Sequence, residues 1–382
     1  MGFLRTYLAL LVVLAHLPSF DSQLTTPFMG GAIPAVKFFF LLSGFYMSLV
    51  LEKKYFRNYV EFYKSRFLRL YPLYWTTCLF CLIPMIMPAE ANKADYLVAF
   101  SKIDPVALKG WVIFSNITFF GSDLMSFVFY NCNEGSQLVL FPKNKPLSCN
   151  DLHRFMIIQP AWSLGIEMMF YLVIPFLARK WWQGVFVLLA ISVTSRMFLF
   201  GIGYHNYDWS RHFIFSEAAY FAFGMVAYQL HKIIPDHFLT KEAKWLAAIV
   251  IFSWTTMYAY IYIENVNEGD RQIWQASYHW FFMVVMVVLT PFLFELSRHS
   301  KADFFAGELS YPIYITHIPV IAFLLPLFRS TMQDWSLVGK FAFCQAVIFA
   351  IALLGIALVS YPVEWLRGRR SMQARYSTAL LP

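Results

Sequence analysis

Charge is what this sequence is short of. Asp, Glu, Lys and Arg make up 14% of its 382 residues, against about 25% in soluble domains. Hydrophobic residues make up 59%, and the mean hydropathy is +0.55. A water-soluble core of this length has no room for that much apolar surface, so a soluble enzyme or binding module is excluded. A bilayer accommodates it, being itself the apolar solvent. Cysteine is scarce as well, at five residues. Cys132 and Cys149 share one polar loop. They pair if that loop faces an oxidising compartment, or remain two thiols if it does not. Internal repeats, low-complexity tracts and Gly/Ser-rich linkers are absent, so residues 1–382 read as a single membrane domain with no soluble domain at either end. A cleavable leader is also lacking. The first apolar run, Leu8 to Leu17, is short but further spans follow it at once, so it reads as the first span.

What is present in quantity is apolar and aromatic. Aromatics reach 20%, led by 41 Phe and 22 Tyr; Tyr and Trp suit the headgroup belt, and Phe the lipid face or a lined cavity. A helical span needs about 20 mostly apolar residues. Ten runs qualify, at roughly 4–20, 33–51, 69–88, 161–178, 183–202, 212–230, 245–263, 274–296, 310–328 and 339–361. The predicted class is therefore all-α and polytopic, with about ten transmembrane helices. An eleventh candidate, Trp111 to Tyr130, is interrupted by Ser115, Asn116, Gly121, Ser122 and Asp123.

The net charge of +8 decides orientation. In a soluble protein it would point to nucleic acid. Here the basic residues lie mainly in loops between apolar runs, and no nucleic-acid partner is expected. With ten spans and a cytoplasmic N-terminus, 18 of the 30 Lys and Arg fall on the cytoplasmic side, as the positive-inside rule asks. An eleventh span would place Arg179-Lys180 and the basic 231–244 loop outside. Residues 111–130 are accordingly expected as an amphipathic or re-entrant piece within a long outer-face segment, 89–160, and both termini as cytoplasmic.

Ionisable residues inside spans are costly, and each is a functional hypothesis. They are Arg5, His16, Lys37, Glu167, Arg196, Glu217, His279 and His317. Arg5 and His16 are eleven residues apart, about 16 Å of helical rise, so they share one face at opposite depths. His16 can act as a general base, or be a helix-end histidine satisfied by a carbonyl or a headgroup. Ser43 and Gly44, in the KFFFLLSGF run opened by Lys37, permit close approach of a helix or a ligand. Arg66 and Arg69, three apart, can grip phosphates by forked hydrogen bonds or simply flank the membrane. Trp162 suits the belt or a site. Pro160 and Ser163 suit a helix start. Glu167, a turn deeper, either meets a substrate hydroxyl or a cation, or pairs structurally with Arg196 or Lys37. His317 follows a second helix-start pattern, GELSYPIYITH, and is otherwise a core histidine. Asn116-Ile-Thr118 matches a glycosylation sequon. No metal site is expected.

Taken in order on this span pattern, the segments resemble the acyltransferase 3 family of membrane-bound O-acyltransferases acting on carbohydrates. Arg5 and His16 match that family's Arg-x10-His pattern, and KFFFLLSGF resembles its FF-x-x-SGF signature. Arg66-Phe-Leu-Arg69 before Leu-Tyr-Pro resembles its Arg-x-x-Arg pattern, and Trp162-Ser163-Leu164 with Glu167 its WSL-x-x-E pattern. LSYPIYITH (309–317) and YPVEWLRGR (361–369) look like its late motifs. The chain departs at Lys37, where the family often carries an acidic residue.

The resemblance implies transfer of an acyl group, most simply acetyl, from cytoplasmic acyl-CoA to a hydroxyl of a cell-surface glycan or its lipid-linked precursor. His16 would be the base. Arg5, Arg66, Arg69 and Ser43 would contact the donor, which is a substrate and not a resident cofactor. Glu167, Trp162, His317 and Lys37 would lie on the acceptor side, and segment 89–160 would help select the acceptor. Direct transfer and an acyl-enzyme step both fit. A multi-pass protein of a bacterial inner membrane is the expected setting. A transporter or flippase for a lipid-linked glycan is the rival reading, weakened by the absence of two matching broken-helix halves.

Overall fold

A computed structural model describes residues 1–25, 31–56, 58–86, 100–101, 103, 106–130, 138–142, 150–204, 209, 212–261 and 268–366. The Cys132–Cys149 question lies outside the described residues. Each of the ten apolar runs falls on a helix. These are α1 (Gly2–His16), α2 (Ala32–Lys53), α3 (Tyr59–Ile86), α5 (Trp162–Leu177), α6 (Trp181–Gly201), α7 (Ile214–Ile233), α8 (Lys241–Ile261), α9 (Glu268–Ser297), α10 (Lys301–Pro319) and α11 (Leu337–Gly355). A shorter helix, α4 (Val106–Thr118), precedes α5, and α12 (Tyr361–Leu366) follows α11.

By length and apolarity, six helical stretches among the described residues can cross a membrane. One of them, Gln159–Gly201, is two helices, α5 and α6, broken at Lys180 (φ −125°, ψ 75°). On α6, Phe186, Phe198 and Phe200 expose most of their side chains. In water such a face would be a liability, and in lipid it is the solvated surface. The chain is a multi-pass membrane protein.

Small residues set the tightest crossings, because helices in lipid associate by close packing rather than by hydrophobic expulsion. Gly44 of α2 meets Gly224 of α7. A Cβ on Gly44 would sit 2.2 Å from the Phe221 carbonyl oxygen, and one on Gly224 2.0 Å from that of Leu41. α1 packs along α10, with its first backbone N–H groups capped from that neighbour: Gly2 N and Phe3 N donate to the Asp303 carboxylate at 2.6 and 3.0 Å. Asp303 is itself in the first turn of α10, whose N-cap is Ser300, accepting from Asp303 N at 3.1 Å. This helix thus begins nine residues before the span expected at 310, and Pro312 lies within it.

The segment between α3 and α5 caps the end of the bundle where α1 ends and α2 begins. Residues 111–130 are neither a span nor one continuous amphipathic helix. α4 stops at Thr118 because α3 takes its last carbonyls: Tyr71 Oη donates to Thr118 O (2.6 Å), Tyr74 Oη to Asn116 O (2.8 Å) and Trp75 Nε1 to Ile117 O (2.9 Å). These are the groups a helix end leaves unsatisfied. Beyond a turn with Phe119 and Gly121 at positive φ, the chain forms a small antiparallel sheet in the order β2-β1-β3. β1 (Val128–Tyr130) pairs Val128 with Leu140 on β2 (Leu138–Leu140), and Phe129 with Asp151 on β3 (Asn150–Asp151). The class is therefore nearly all-α, and the sheet is a correction to the expectation. Strands of two and three residues leave no readable period in a sequence. Asn116 is a second correction. Its side-chain amide donates to Val112 O and Phe155 O and accepts from Ile157 N, at 2.8–2.9 Å, in a buried position. A glycan cannot be attached there in the folded chain.

Candidate active site

Two cavities lie end to end inside this frame. The wider, about 450 Å³, opens under the cap. Its walls include His16 from α1, Val36 and Lys37 from α2, Ser126, Asp151, His153 and Gln159 from the cap, Trp162 from α5, His212 ahead of α7, and Tyr314 from α10. The narrower, about 70 Å³, lies deeper and is lined by Arg5, Phe39, Arg69, Ser163, Glu167, Tyr311 and Tyr314, with Val36 again. Val36 and Tyr314 belong to both. Arg5 and His16, on one face of α1, stand in the narrow and the wide cavity respectively.

His16 is in the last turn of α1. Its Nδ1 lies 2.8 Å from Val12 O. A carbonyl only accepts, so Nδ1 carries the hydrogen and the lone pair falls on Nε2. His317 stands behind it, fully buried, with ring centroids 5.1 Å apart and its own Nδ1 2.7 Å from Tyr314 O. It is not on the cavity wall. Tyr314 is held at the junction: its hydroxyl is 2.8 Å from Ser163 Oγ and 3.2 Å from Pro160 O. Ser163 also donates to Pro160 O at 3.0 Å, across the turn that starts α5.

The narrow cavity is polar on two sides. Arg69 Nη1 pairs with Glu308 Oε1 at 3.2 Å, and Arg5 lies within electrostatic reach of Arg69, Glu308 and Glu167. Glu167 accepts from Ser43 Oγ at 2.8 Å and from the Tyr171 hydroxyl. Ser43 therefore stands behind Glu167 rather than on the lining. Arg66, one turn nearer the start of α3, is not on the lining either. It contacts Ser65 Oγ (3.2 Å) and the Phe62 ring (5.8 Å to the guanidinium).

The structural pairing expected for Glu167 is corrected. Lys37 and Arg196 both go to Glu217. Lys37 forms a buried ion pair with it, and Arg196 Nη2 lies 3.7 Å from its Oε1. Lys37 also sits 5.2 Å over the Tyr220 ring, and Tyr220 leads on to His279, which bridges the hydroxyls of Tyr220 (2.7 Å) and Tyr258 (2.9 Å). The reversed charge at position 37 is thus balanced from α7. Sequence reasoning assigned no role to Tyr314, Tyr311, Asp151, His153 or His212, and to Ser163 only that of a helix start. Tyr314 had a signal, standing three residues before His317 in the same motif. The cap residues had none, since polar residues in a polar loop are ordinary. Among the described residues no group of three or more His, Cys, Asp or Glu is placed to hold a metal ion.

A histidine in the wide cavity and two arginines in the narrow one, inside a membrane-embedded bundle, are groups that a membrane-bound transferase would need. The "Acyltransferase domain" model of the acyltransferase 3 family matches residues 1–361. The chain belongs to that family. Among curated proteins it is similar to the O-acetyltransferase OatA of Staphylococcus aureus strains NCTC 8325 / PS 47, COL and MRSA252, at 22% identity over 356 residues in each case. That match covers 84% of this chain and 50% of the relative, so the chain spans about half the length of the curated relatives it matches. No solved structure matches it.

Proposed function

We propose that the chain is a ten-span O-acyltransferase of a bacterial inner membrane. It would move an acetyl group from acyl-CoA, held at the cytoplasmic side, to a hydroxyl of an outward-facing glycan or its lipid-linked precursor. The observation that carries this reading is the pair of cavities joined at Val36 and Tyr314, with Arg5 and Arg69 in one and His16 in the other. The positive-inside count supports a cytoplasmic side for the Arg69 end of the bundle. Arg69 would there meet donor phosphates, with Arg5 deeper along the acyl arm. The name of the staphylococcal relatives supports acetyl as the group and oxygen as the acceptor atom.

In this mechanism the acceptor hydroxyl lies in the wide cavity beside His16. Nε2 removes its proton as the oxygen attacks the thioester carbonyl. The tetrahedral intermediate collapses, the C–S bond breaks, and the imidazolium returns the proton to the departing thiolate, leaving ester and free thiol. The α1 C-terminus stabilises the transient imidazolium. Tyr314, at the junction, is positioned to orient the reacting carbonyl between the cavities.

The test is acyl-CoA turnover by the full chain in proteoliposomes, with cell-envelope glycan as acceptor, wild type beside His16→Ala. Loss of transfer in the variant with wild-type folding supports the reading. Wild-type transfer by His16→Ala ends it.

A further inference from the structure

One buried titratable side chain takes no part in that mechanism. His317 is fully buried on α10. Leu309 and Ile313, two turns and one turn before it, belong to one apolar core with Ala9, Val13 and Leu17 of α1. A leucine suits such a position, whereas a histidine has two ring nitrogens to satisfy. Nδ1 is satisfied: it lies 2.7 Å from Tyr314 O and carries the hydrogen, because a carbonyl only accepts. That tautomer leaves a bare lone pair on Nε2, and Nε2 has no hydrogen-bond partner among the described residues. Buried polar atoms of this kind are rare and costly, and each asks for a role.

The rings against His317 are those of Tyr314, at 6.0 Å between centroids, and His16, at 5.1 Å. The two histidines are built alike. Each holds its Nδ1–H on a carbonyl of its own helix, Val12 O for His16 and Tyr314 O for His317, and each thereby carries a lone pair on Nε2. Two lone pairs form no hydrogen bond with each other. Proton transfer changes that. Once His16 has taken the acceptor's proton, its ring is a cation with two N–H groups, and a lone pair fixed beside it becomes favourable. The neutral His317 ring is a dipole that Tyr314 O already holds in place, so nothing has to reorganise as the charge appears. An interaction made only after proton transfer raises kcat and leaves substrate binding alone.

We propose that His317 is a positioning residue for the base: its Nε2 lone pair stabilises the transient His16 imidazolium from the buried side, and it does not touch the acceptor. The inference rests on the reading of His16 as the base.

The test compares the full chain in nanodiscs, wild type beside His317→Phe and His317→Gln. Phe keeps the ring and removes both nitrogens, and Gln returns an acceptor oxygen on a side chain of similar reach. Transfer by His317→Phe should lose about tenfold in kcat, with KM for donor and acceptor within about twofold of wild type. His317→Gln should recover much of the loss. His317→Phe also removes an unanswered polar atom from the core, so its unfolding temperature should equal or exceed that of the wild type. A second arm needs no substrate. Diethyl pyrocarbonate is attacked by a neutral imidazole nitrogen, and positive charge grows on the ring as the bond forms. Carbethoxylation of His16, read by mass spectrometry, should be about tenfold slower in His317→Phe, with the exposed His237 and His299 reacting at the wild-type rate. A raised acceptor KM with unchanged kcat would make His317 an acceptor contact and overturn the proposal. Early unfolding of His317→Phe with no recovery in His317→Gln would make it a packing residue and overturn it too. Lost transfer with wild-type labelling of His16 counts against His317 alone. Slowed labelling with no transfer by the wild type counts against the transferase reading alone.

Discussion

The narrow cavity is built almost wholly by helices, and the wide cavity half by helices and half by the cap. Arg5, Arg69 and Glu167 project from regular spans whose packing fixes them. Asp151, His153 and His212 are held by a two-residue strand, a short turn and the lead into α7. A helix in lipid must satisfy its backbone internally, which leaves little freedom in its side-chain positions. A cap outside the bundle has more ways to fold, and more ways to vary. On the proposed reading the fixed half would carry the donor-side cations and the variable half would line the acceptor side. A single reaction could then be directed at different acceptors by changing the cap alone.

The largest effect should separate the two cavities by kinetics. His16→Ala should lower kcat by about 10²–10⁴-fold, the usual contribution of a general base, with donor KM little changed. Arg69→Ala should do the reverse, raising donor KM about tenfold or more while Arg69→Lys recovers part of it. The control is Glu308→Gln, which releases Arg69 from its 3.2 Å pair without removing the cation. Steady-state kinetics against acyl-CoA concentration checks all four. Equal falls in kcat for His16→Ala and Arg69→Ala would mean that the cavities do not divide the work.

Next in size is the buried charge between α2 and α7. Lys37→Met leaves Glu217 fully buried and without its closest cation, the Arg196 contact being longer. Breaking one partner of such a pair costs about 3–5 kcal/mol. Replacing both, as Lys37→Met with Glu217→Gln, should cost less, because the charge that loses its carboxylate is then Arg196, which is partly exposed. Thermal unfolding of single and double variants in detergent measures the difference. A single variant as stable as the wild type would show that the pair contributes nothing to the α2–α7 crossing.

The same contrast explains what could be read from the chain. Arg5, His16 and Glu167 stand out because a charge inside an apolar run is conspicuous, and helical spacing places Arg5 and His16 on one face with no further information. The ten helices were legible for the same reason. The pairing of Lys37 was not, because its partner is 180 residues away and Glu167 fitted equally well. The cap was least legible. Its strands are too short for a period, its polar residues are unremarkable in a loop, and its aromatic contacts to α3 depend on tertiary packing. Arg66 shows the opposite failure: three-residue spacing put it on the face of Arg69, but one turn along α3 was enough to carry it off the cavity lining.

The smallest effect expected is in the cap itself. Asp123 lies outside the spans and is 4% exposed, and its Oδ2 has no hydrogen-bond partner among the described residues. Burial pushes its carboxyl up to about 6, despite backbone N–H groups, including that of Ile214, that favour the anion. The folded state therefore binds this proton more tightly than the unfolded one, whose carboxyl titrates near 3.8. Stability from this group is fully present below about pH 4, and is lost as pH rises from there through about 6. The whole shift corresponds to at most about 3 kcal/mol. Asp123→Asn mimics the protonated form, so it should raise the unfolding temperature at pH 7 and flatten its rise between pH 7 and 5. Protease cleavage of the cap should slow over the same interval in the wild type and not in the variant. A wild type whose cap resists protease equally at pH 5 and 7 would mean that Asp123 has water or a cation beside it, and that the cap is held as rigidly as the helices beneath.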